Sequence, residues 1–432
     1  MMLSVSDAAL IERDTAIPGL ATLLDPDALV AALRHALPGV DLGAGQVTYV
    51  KYKPGTNCLA GARLEVNGSL IDVYGKAFGA DASIKIRNAL RRPGVAGPLG
   101  NGRIVLEDLG IVVAVFPNDS KIVGITDLTN ELTRGHVFKE LMPGRSDLWE
   151  STLERLVYKP ERRWVGRLVT RGRASAALKV YTDDEYQAAL RYATRFCSRE
   201  ALRVVAPLGF LDSHRMLAFA WISDPPLSDV LADPALDLRK VATAGAALAA
   251  LHSQNPLGLP RLTRRSEAAA LREDANFLAL IHPTLAGRAT QIAKEIGAKL
   301  EQAPAMDRPL HGDFHARQIL LGETTATILD LDRAVRGDPA ADLGNFFAHL
   351  ERETVRGTIS AERKQALTQA LCDGYRSATM KPLPARVGLY AAASMFRLAP
   401  RFFRYLEPDW HESADQFLHR AQATLDEFEF PS

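Results

Sequence analysis

The densest run of chemically capable side chains is His311-Gly312-Asp313-Phe314-His315-Ala316-Arg317-Gln318. Ile328-Leu329-Asp330-Leu331-Asp332 follows, then Arg336-Gly337-Asp338-Pro339-Ala340-Ala341-Asp342-Leu343-Gly344. Between the first two runs, the apolar stretches 319–321 and 327–329 flank a Gly322-Glu323-Thr324-Thr325 turn, which predicts an antiparallel hairpin. Gln318 and Asp330 stand at equal distances from residue 324, so closing the hairpin brings an amide and a carboxylate together at its open end. Asp313 is one short loop away. Three oxygen-bearing side chains in one place suit a hard cation such as Mg²⁺, which takes few protein oxygens and completes its shell with phosphate and water. Taken singly, an Asp beside a Gly marks a turn, and His311 reads as a satisfied interior histidine. Taken together, acids and an amide around one hairpin each need solvation or a partner, which favours a shared function.

The elements that must position these groups are helical. Leu238, Val241, Leu248 and Leu251 share one face of a helix ending at His252, and helical periodicity resumes from Ala361 to near the C-terminus. Upstream the pattern is β-rich. After a helix expected from Asp25 to Leu37, short strands begin at Val47, with a helix around 82–91. The β-rich pattern then recurs. Tyr52-Lys53-Pro54 and the strand carrying Lys76 lie beside Tyr158-Lys159-Pro160 and the strand carrying Lys179, the two lysines of each copy being 23 and 20 residues apart. Both copies continue through a helical stretch to Pro-Leu-Gly, at 98–100 and 207–209, so a duplication is the economical reading. The expected segments are 1–150, 151–226 and 227–432.

Composition sets the class. The chain has 432 residues, Lys+Arg 52 against Asp+Glu 51, 47% hydrophobic and 24% charged residues, an ordinary globular mixture of more than one domain. Near-neutrality argues against nucleic acid as a partner. No apolar run approaches a membrane span, and the basic-then-apolar pattern of a signal is missing from the start. Cys58, Cys197 and Cys372 are far apart, which points to a reducing, cytoplasmic setting without a disulfide framework.

HGDFHxxQ, followed by LDLD and GDPxxDLG, resembles the catalytic core of the aminoglycoside phosphotransferase and choline kinase-like small-molecule kinases, over residues 154–425. The resemblance implies an α+β, two-lobed protein-kinase-like fold, with ATP and Mg²⁺ as cofactors and a small-molecule hydroxyl as acceptor. By position it implies Asp313 as the base that orients the acceptor, Gln318 and Asp330 as metal ligands, and His311 as a buttress of the catalytic loop. Asp332 completes the LDLD motif, and Asp342 anchors the loop from the following helix. Lys179 would reach the nucleotide phosphates, with Glu185 as its candidate partner and Glu200 as the alternative. The loop 159–163 would cover the nucleotide, and backbone groups at Ala220 and Ile222 would bind adenine at the hinge before Asp224-Pro225-Pro226. Most members carry Asn where this chain has Gln318. Maltokinase-like and glucosamine kinase-like members resemble the variant and also carry an N-terminal cap, which tilts the acceptor toward a sugar or amino sugar.

Two other readings compete. His311, Asp313 and His315 alternate and would face one side of an extended strand as ligands of a metal-dependent hydrolase. Alternatively, Gln318 marks a kinase-like binding module without activity. No G-x-x-x-x-G-K-[ST] sequence exists, so a Walker-type ATPase is unsupported. Near the C-terminus, Arg397, Arg401, Arg404, Asp409 and Trp410 form either a sugar-binding surface or the charged outside of a core built on Phe396, Leu398, Phe402 and Phe403, and the core reading is preferred.

Overall fold

A computed structural model describes residues 3–429. Three helices come first: α1 (Val5–Arg13), α2 (Leu20–Leu24) and α3 (Pro26–Ala36). Asp25 caps α3 through its side chain, and Pro26 occupies the first turn, where its missing N–H costs nothing. The helix therefore starts and stops within one residue of the expected bounds.

Two sheets of the same topology follow. The first contains β1 (Leu42–Lys53), β2 (Asn57–Val66), β3 (Ser69–Phe78), helix α4 (Ala82–Leu90), β4 (Arg103–Leu106) and β5 (Ile111–Val115), in the order β1-β2-β3-β5-β4. After α5 (Glu131–Leu141) comes the second: β6 (Thr152–Lys159), β7 (Arg163–Thr170), β8 (Arg173–Tyr181), α6 (Asp183–Tyr192) and the two-residue β9 (Leu202–Arg203) outside the sheet. β10 (Pro207–Leu211) and β11 (Met216–Ala220) complete it, in the order β6-β7-β8-β11-β10. Each sheet is a three-strand meander, a helix, and a returning hairpin whose second strand docks on the meander. Their registers also agree. Lys76 pairs with Leu59 and Lys179 with Val165, each partner six residues beyond the lysine of its Tyr-Lys-Pro. The repeat read from the sequence is therefore a repeat of topology and register.

The rest is mainly helical: α7 (Leu227–Val230), α8 (Leu238–His252), α9 (Arg264–Ile281), α10 (Ala286–Gln302), α11 (Ala340–Val355), α12 (Ala361–Thr379), α13 (Val387–Arg404) and α14 (Trp410–Glu429). Four short strands interrupt it: β12 (Arg308–Leu310), β13 (Ile319–Leu321), β14 (Ala326–Ile328) and β15 (Val335–Gly337). The mixed α+β architecture, β-rich first and helical after, is the one expected. None of the described helices is long and apolar enough to cross a membrane.

Packing gives two compact units. One takes in the chain up to Tyr186 with residues 208–219 and 401–411; the other holds 187–207, 220–400 and the chain from Glu412. Both sheets belong to the first, where Leu59, Tyr74 and Ala114 share a buried cluster with Trp164, Leu168 and Leu178. In the second, α8 and α12 approach too closely for side chains. A Cβ on Gly245 would lie 2.0 Å from the Leu371 carbonyl oxygen, and one on Gly374 would lie 1.7 Å from that of Ala242. This contact aligns His252 with Tyr375. Gly374→Ala must push the helices apart and is expected to destabilise by about 1–3 kcal/mol, read as a lower urea midpoint.

Candidate active site

Strand pairing gathers the motif residues into a closed span. β12 leads into His311, and β15 returns antiparallel to it with Leu310 opposite Val335, so both ends of residues 311–334 are clipped together. Inside the span, β13 and β14 form the expected hairpin, with Ile319 opposite Ile328 and Leu321 opposite Ala326. The register differs from the symmetric one read from sequence. Leu329, not Asp330, stands across from Gln318, and its N–H donates to the Gln318 carbonyl at 2.8 Å. In a regular strand Asp330 would then point to the opposite face from Gln318. Its backbone instead occupies the left-handed region, φ 61° and ψ 51°, which breaks the alternation. The side chains consequently meet, Gln318 Nε2 donating to Asp330 Oδ2 at 3.3 Å. A non-glycine residue pays about 1–2 kcal/mol for this conformation. Turning the Gln318 amide over would present its oxygen beside the carboxylate, so the pair fits a hard cation.

His311 is fully buried, and both ring nitrogens are committed. Nε2 donates to the Leu329 carbonyl at 2.7 Å, while Nδ1 accepts from the Asp313 N–H at 3.1 Å. Those roles require the neutral Nε2–H form. The ring thus ties the loop bearing Asp313 to the strand end bearing Asp330, and it has no lone pair left for a metal. The expected His311/Asp313/His315 ligand set is overturned for that reason. Among the described residues, the His/Asp group whose ligand atoms do come together, within 4.8 Å, is Asp313, His315 and His349. There the two imidazoles stack at 4.3 Å with an interplanar angle of only 21°. Ring lone pairs lie in the ring planes, so stacked, nearly parallel rings do not aim them at one point.

Asp342, buried in the first turn of α11, organises the loop. Its carboxylate accepts from the His311 N–H at 2.7 Å and the Gly312 N–H at 2.9 Å, and contacts His252 Nε2 at 3.0 Å. His252 Nδ1 lies 2.9 Å from the Tyr375 hydroxyl. Burial pushes the Asp342 carboxyl up, but the His252 hydrogen bond and charge and the His311 backbone N–H together outweigh it and hold it below its ordinary 3.8. One turn on, Asn345 Nδ2 donates to the Phe314 carbonyl at 3.0 Å. Gly312 is obligatory in this loop: its φ is +79°, and a Cβ would lie 2.3 Å from the Arg333 carbonyl oxygen. Asp313 itself is partly exposed and faces Arg333 Nη1 at 3.8 Å. Asp332 lies in the short turn 331–333 beside it in sequence.

His252, Asn345 and Arg333 were not anticipated. Asn345 had a signal, since it stands three residues after Asp342 and so shares its helix face. His252, ninety residues from Asp342, had none beyond being a lone imidazole at the end of an Ala- and Leu-rich helix.

In the first unit, Lys179 lies on β8 with Nζ 5.5 Å from the Phe219 ring centroid. Glu185, its expected partner, accepts from Arg162 Nε at 2.7 Å. Ala220 ends β11, and both Ala220 and Ile222 are half-buried. Just beyond, the Pro225 carbonyl accepts from the Leu321 N–H at 2.9 Å, and Pro226 bridges to Leu320. The segment after β11 is therefore stitched to the hairpin that carries Gln318. At the other end of the chain, Trp410 is 1% exposed and donates through Nε1 to Asp7 at 3.0 Å, while Phe396, Phe402 and Phe403 are fully buried. That run is core, not a sugar-stacking surface.

Removing the buried acceptor, Asp342→Ala, is expected to cost about 3–5 kcal/mol at neutral pH. Because the folded carboxyl sits below 3.8, its stabilisation is complete above that value and fades as pH falls beneath it. The gap between the urea midpoints of the two proteins, measured stepwise from pH 7 to pH 2.5, should be constant above about 4 and narrow toward the acid end.

The family model described as the phosphotransferase enzyme family matches residues 151–380. No curated protein matches the chain. Among solved structures it is similar to a thermostable mutant of aminoglycoside phosphotransferase APH(4)-Ia in ternary complex with ADP and hygromycin B. That match has 15% identity, 65% of this chain, 96% of that one and a TM-score of 0.48. It is also similar to a choline/ethanolamine kinase family protein from Mesorhizobium loti (17%, 70% and 96%, TM-score 0.46). The GDP complex of wild-type aminoglycoside 2'-phosphotransferase-IIIa is a third (14%, 68% and 99%, TM-score 0.48). With more than half of its length matched by the family model, and the motifs assembled as described, the chain belongs to the phosphotransferase enzyme family.

Proposed function

We propose that this phosphotransferase moves the γ-phosphoryl group of ATP to a hydroxyl of a small molecule, a sugar or an amino sugar, with Asp313 as base. The observation that carries the reading is the meeting of Gln318 and Asp330 in the same clipped span as Asp313. Phosphoryl transfer needs little covalent help from a protein, so positioning and charge neutralisation are most of the catalysis. Asp313 holds the acceptor O–H and takes its proton as the oxygen bonds to the γ-phosphorus; the bond from that phosphorus to the bridging oxygen breaks, and ADP leaves. His311 and Asp342 fix the loop so that the carboxylate stays aimed. Gln318 and Asp330 would hold Mg²⁺, which when bound offsets the phosphate charge. In protein kinases the phosphate-binding lysine stands on the third strand and the turn between the first two covers the phosphates. Lys179 on β8 and the β6–β7 turn occupy those places in the second sheet. Backbone groups at Ala220 and Ile222 then serve adenine.

The preference for a sugar or amino sugar rests on Gln318, the variant that resembles the maltokinase-like and glucosamine kinase-like members. By segment, 151–226 serves the nucleotide, 227–432 carries the catalytic loop and acceptor site, and 1–150 is a cap. A cytoplasmic setting belongs to the reading. All three cysteines are unpaired, and burial pushes the Cys58 and Cys372 thiols up to about 12 and about 11.

ADP release over a panel of sugars, amino sugars, aminoglycosides and choline tests the proposal. Asp313→Asn is expected to lower kcat by about 10²–10⁴ while leaving ATP binding in place. Turnover that survives the substitution, or nucleotide binding without transfer to any acceptor, would rule the proposal out.

A further inference from the structure

The β6–β7 turn, Lys159-Pro160-Glu161-Arg162, is held from the first sheet. Glu161 has a positive φ of 53° and is 8% exposed, unusual for an acid at a turn. Lys76, on β3, reaches both of its carboxylate oxygens, at 2.7 and 2.8 Å. Ser120 Oγ donates to the same carboxylate at 2.9 Å, and Lys121 Nζ stands 3.8 Å away. The turn's backbone is gripped too. The Glu161 N–H and the Tyr158 hydroxyl both donate to Asp119 Oδ2 at 2.8 Å, and Asp119 is itself fixed by the Lys121 and Ile122 N–H groups. Burial pushes the Glu161 carboxyl up, yet Lys76 and the Ser120 hydrogen bond outweigh it and keep it ionised. On its other side the turn is tied by Arg162 to Glu185, and the Thr182 N–H donates to the Arg162 carbonyl at 3.1 Å.

Lys76 holds in the first sheet the register position that Lys179 holds in the second. We propose that Lys76 is a positioning residue for the nucleotide: through Glu161 it sets the β6–β7 turn over the phosphates and cancels a carboxylate that would otherwise repel them. The first sheet is then a working part of the nucleotide site. This rests on the phosphotransferase reading above, in which that turn covers ATP. The turn has no glycine to bring its backbone close, so it depends on outside contacts for its shape. Gly61 marks how tight the fit is, since a Cβ there would lie 3.2 Å from Pro160.

Kinetics of the full-length Lys76→Met and Glu161→Gln proteins test this beside the charge swap Lys76→Glu/Glu161→Lys. The expected result is an increase of about tenfold in KM for MgATP for each single variant, with KM for the acceptor within twofold, and partial recovery in the swap. Hydrogen exchange of residues 158–163 gives a readout that needs no turnover: Lys76→Met should speed exchange there and abolish the protection conferred by a non-hydrolysable ATP analogue. An unchanged KM for MgATP with unchanged exchange would overturn the proposal. Where wild type itself transfers no phosphate, the phosphotransfer reading fails, and the exchange data alone decide whether Lys76 sets the turn for a bound nucleotide. A uniform fall in stability, with KM for both substrates unmoved, also overturns it.

Discussion

One buried carboxylate constrains the rest of the proposed site. Asp342 is surrounded by protein, and an ion in that position is tolerable only with several short, well-aimed donors. It finds them in two consecutive backbone N–H groups and an imidazole. Satisfying Asp342 obliges the chain at 311–312 to turn sharply against α11, which is possible because residue 312 is glycine. The turn presents Asp313 outward and sends His311 inward, where it locks onto the end of β14. Loop, hairpin and helix are therefore not three independent placements. They are one hydrogen-bonded arrangement with the acid at its centre.

Much of this was legible in the sequence because the parts are local. The helix bounds near residue 25, the hairpin at 319–328 and the repeat of Tyr-Lys-Pro segments all follow from turn chemistry and periodicity, which act over a few residues. The convergence of Gln318 with Asp330 is also readable there, but for an incomplete reason. Counting from the turn centre gave symmetry, whereas the actual register sets Leu329 opposite Gln318 and relies on a left-handed backbone at Asp330. A single strained residue leaves no mark on hydrophobic pattern. His252 leaves no such mark either, because its role depends on α8 and α12 touching at Gly245 and Gly374, a packing fact remote in sequence. The His311/Asp313/His315 metal reading failed for a related reason. Alternation along a strand says where side chains point only if the segment is a strand, and here it is a loop turned by Gly312.

The two sheets show how a repeat diverges. Topology and lysine register are shared, yet Lys179 lies near the Phe219 ring of the adjacent strand while Lys76 is engaged by Glu161 from the neighbouring sheet. A lysine on the third strand of such a sheet is a compact charge on a flexible stem, easily redirected to a different anion. Phe403 and Trp410 tell the opposite story. Their composition resembles a ligand surface, but burial and the Trp410–Asp7 hydrogen bond make them structural.

We propose that the amide of Gln318 and the carboxylate of Asp330, which meet at 3.3 Å, form a divalent cation site that works together with a nucleotide. Electron paramagnetic resonance of Mn²⁺ reads this directly, using the intact protein with a non-hydrolysable ATP analogue. Bound Mn²⁺ in the wild type, weakened by at least about tenfold in Asp330→Ala and in Gln318→Ala, is the predicted result. Equal Mn²⁺ occupancy in all three proteins would contradict it.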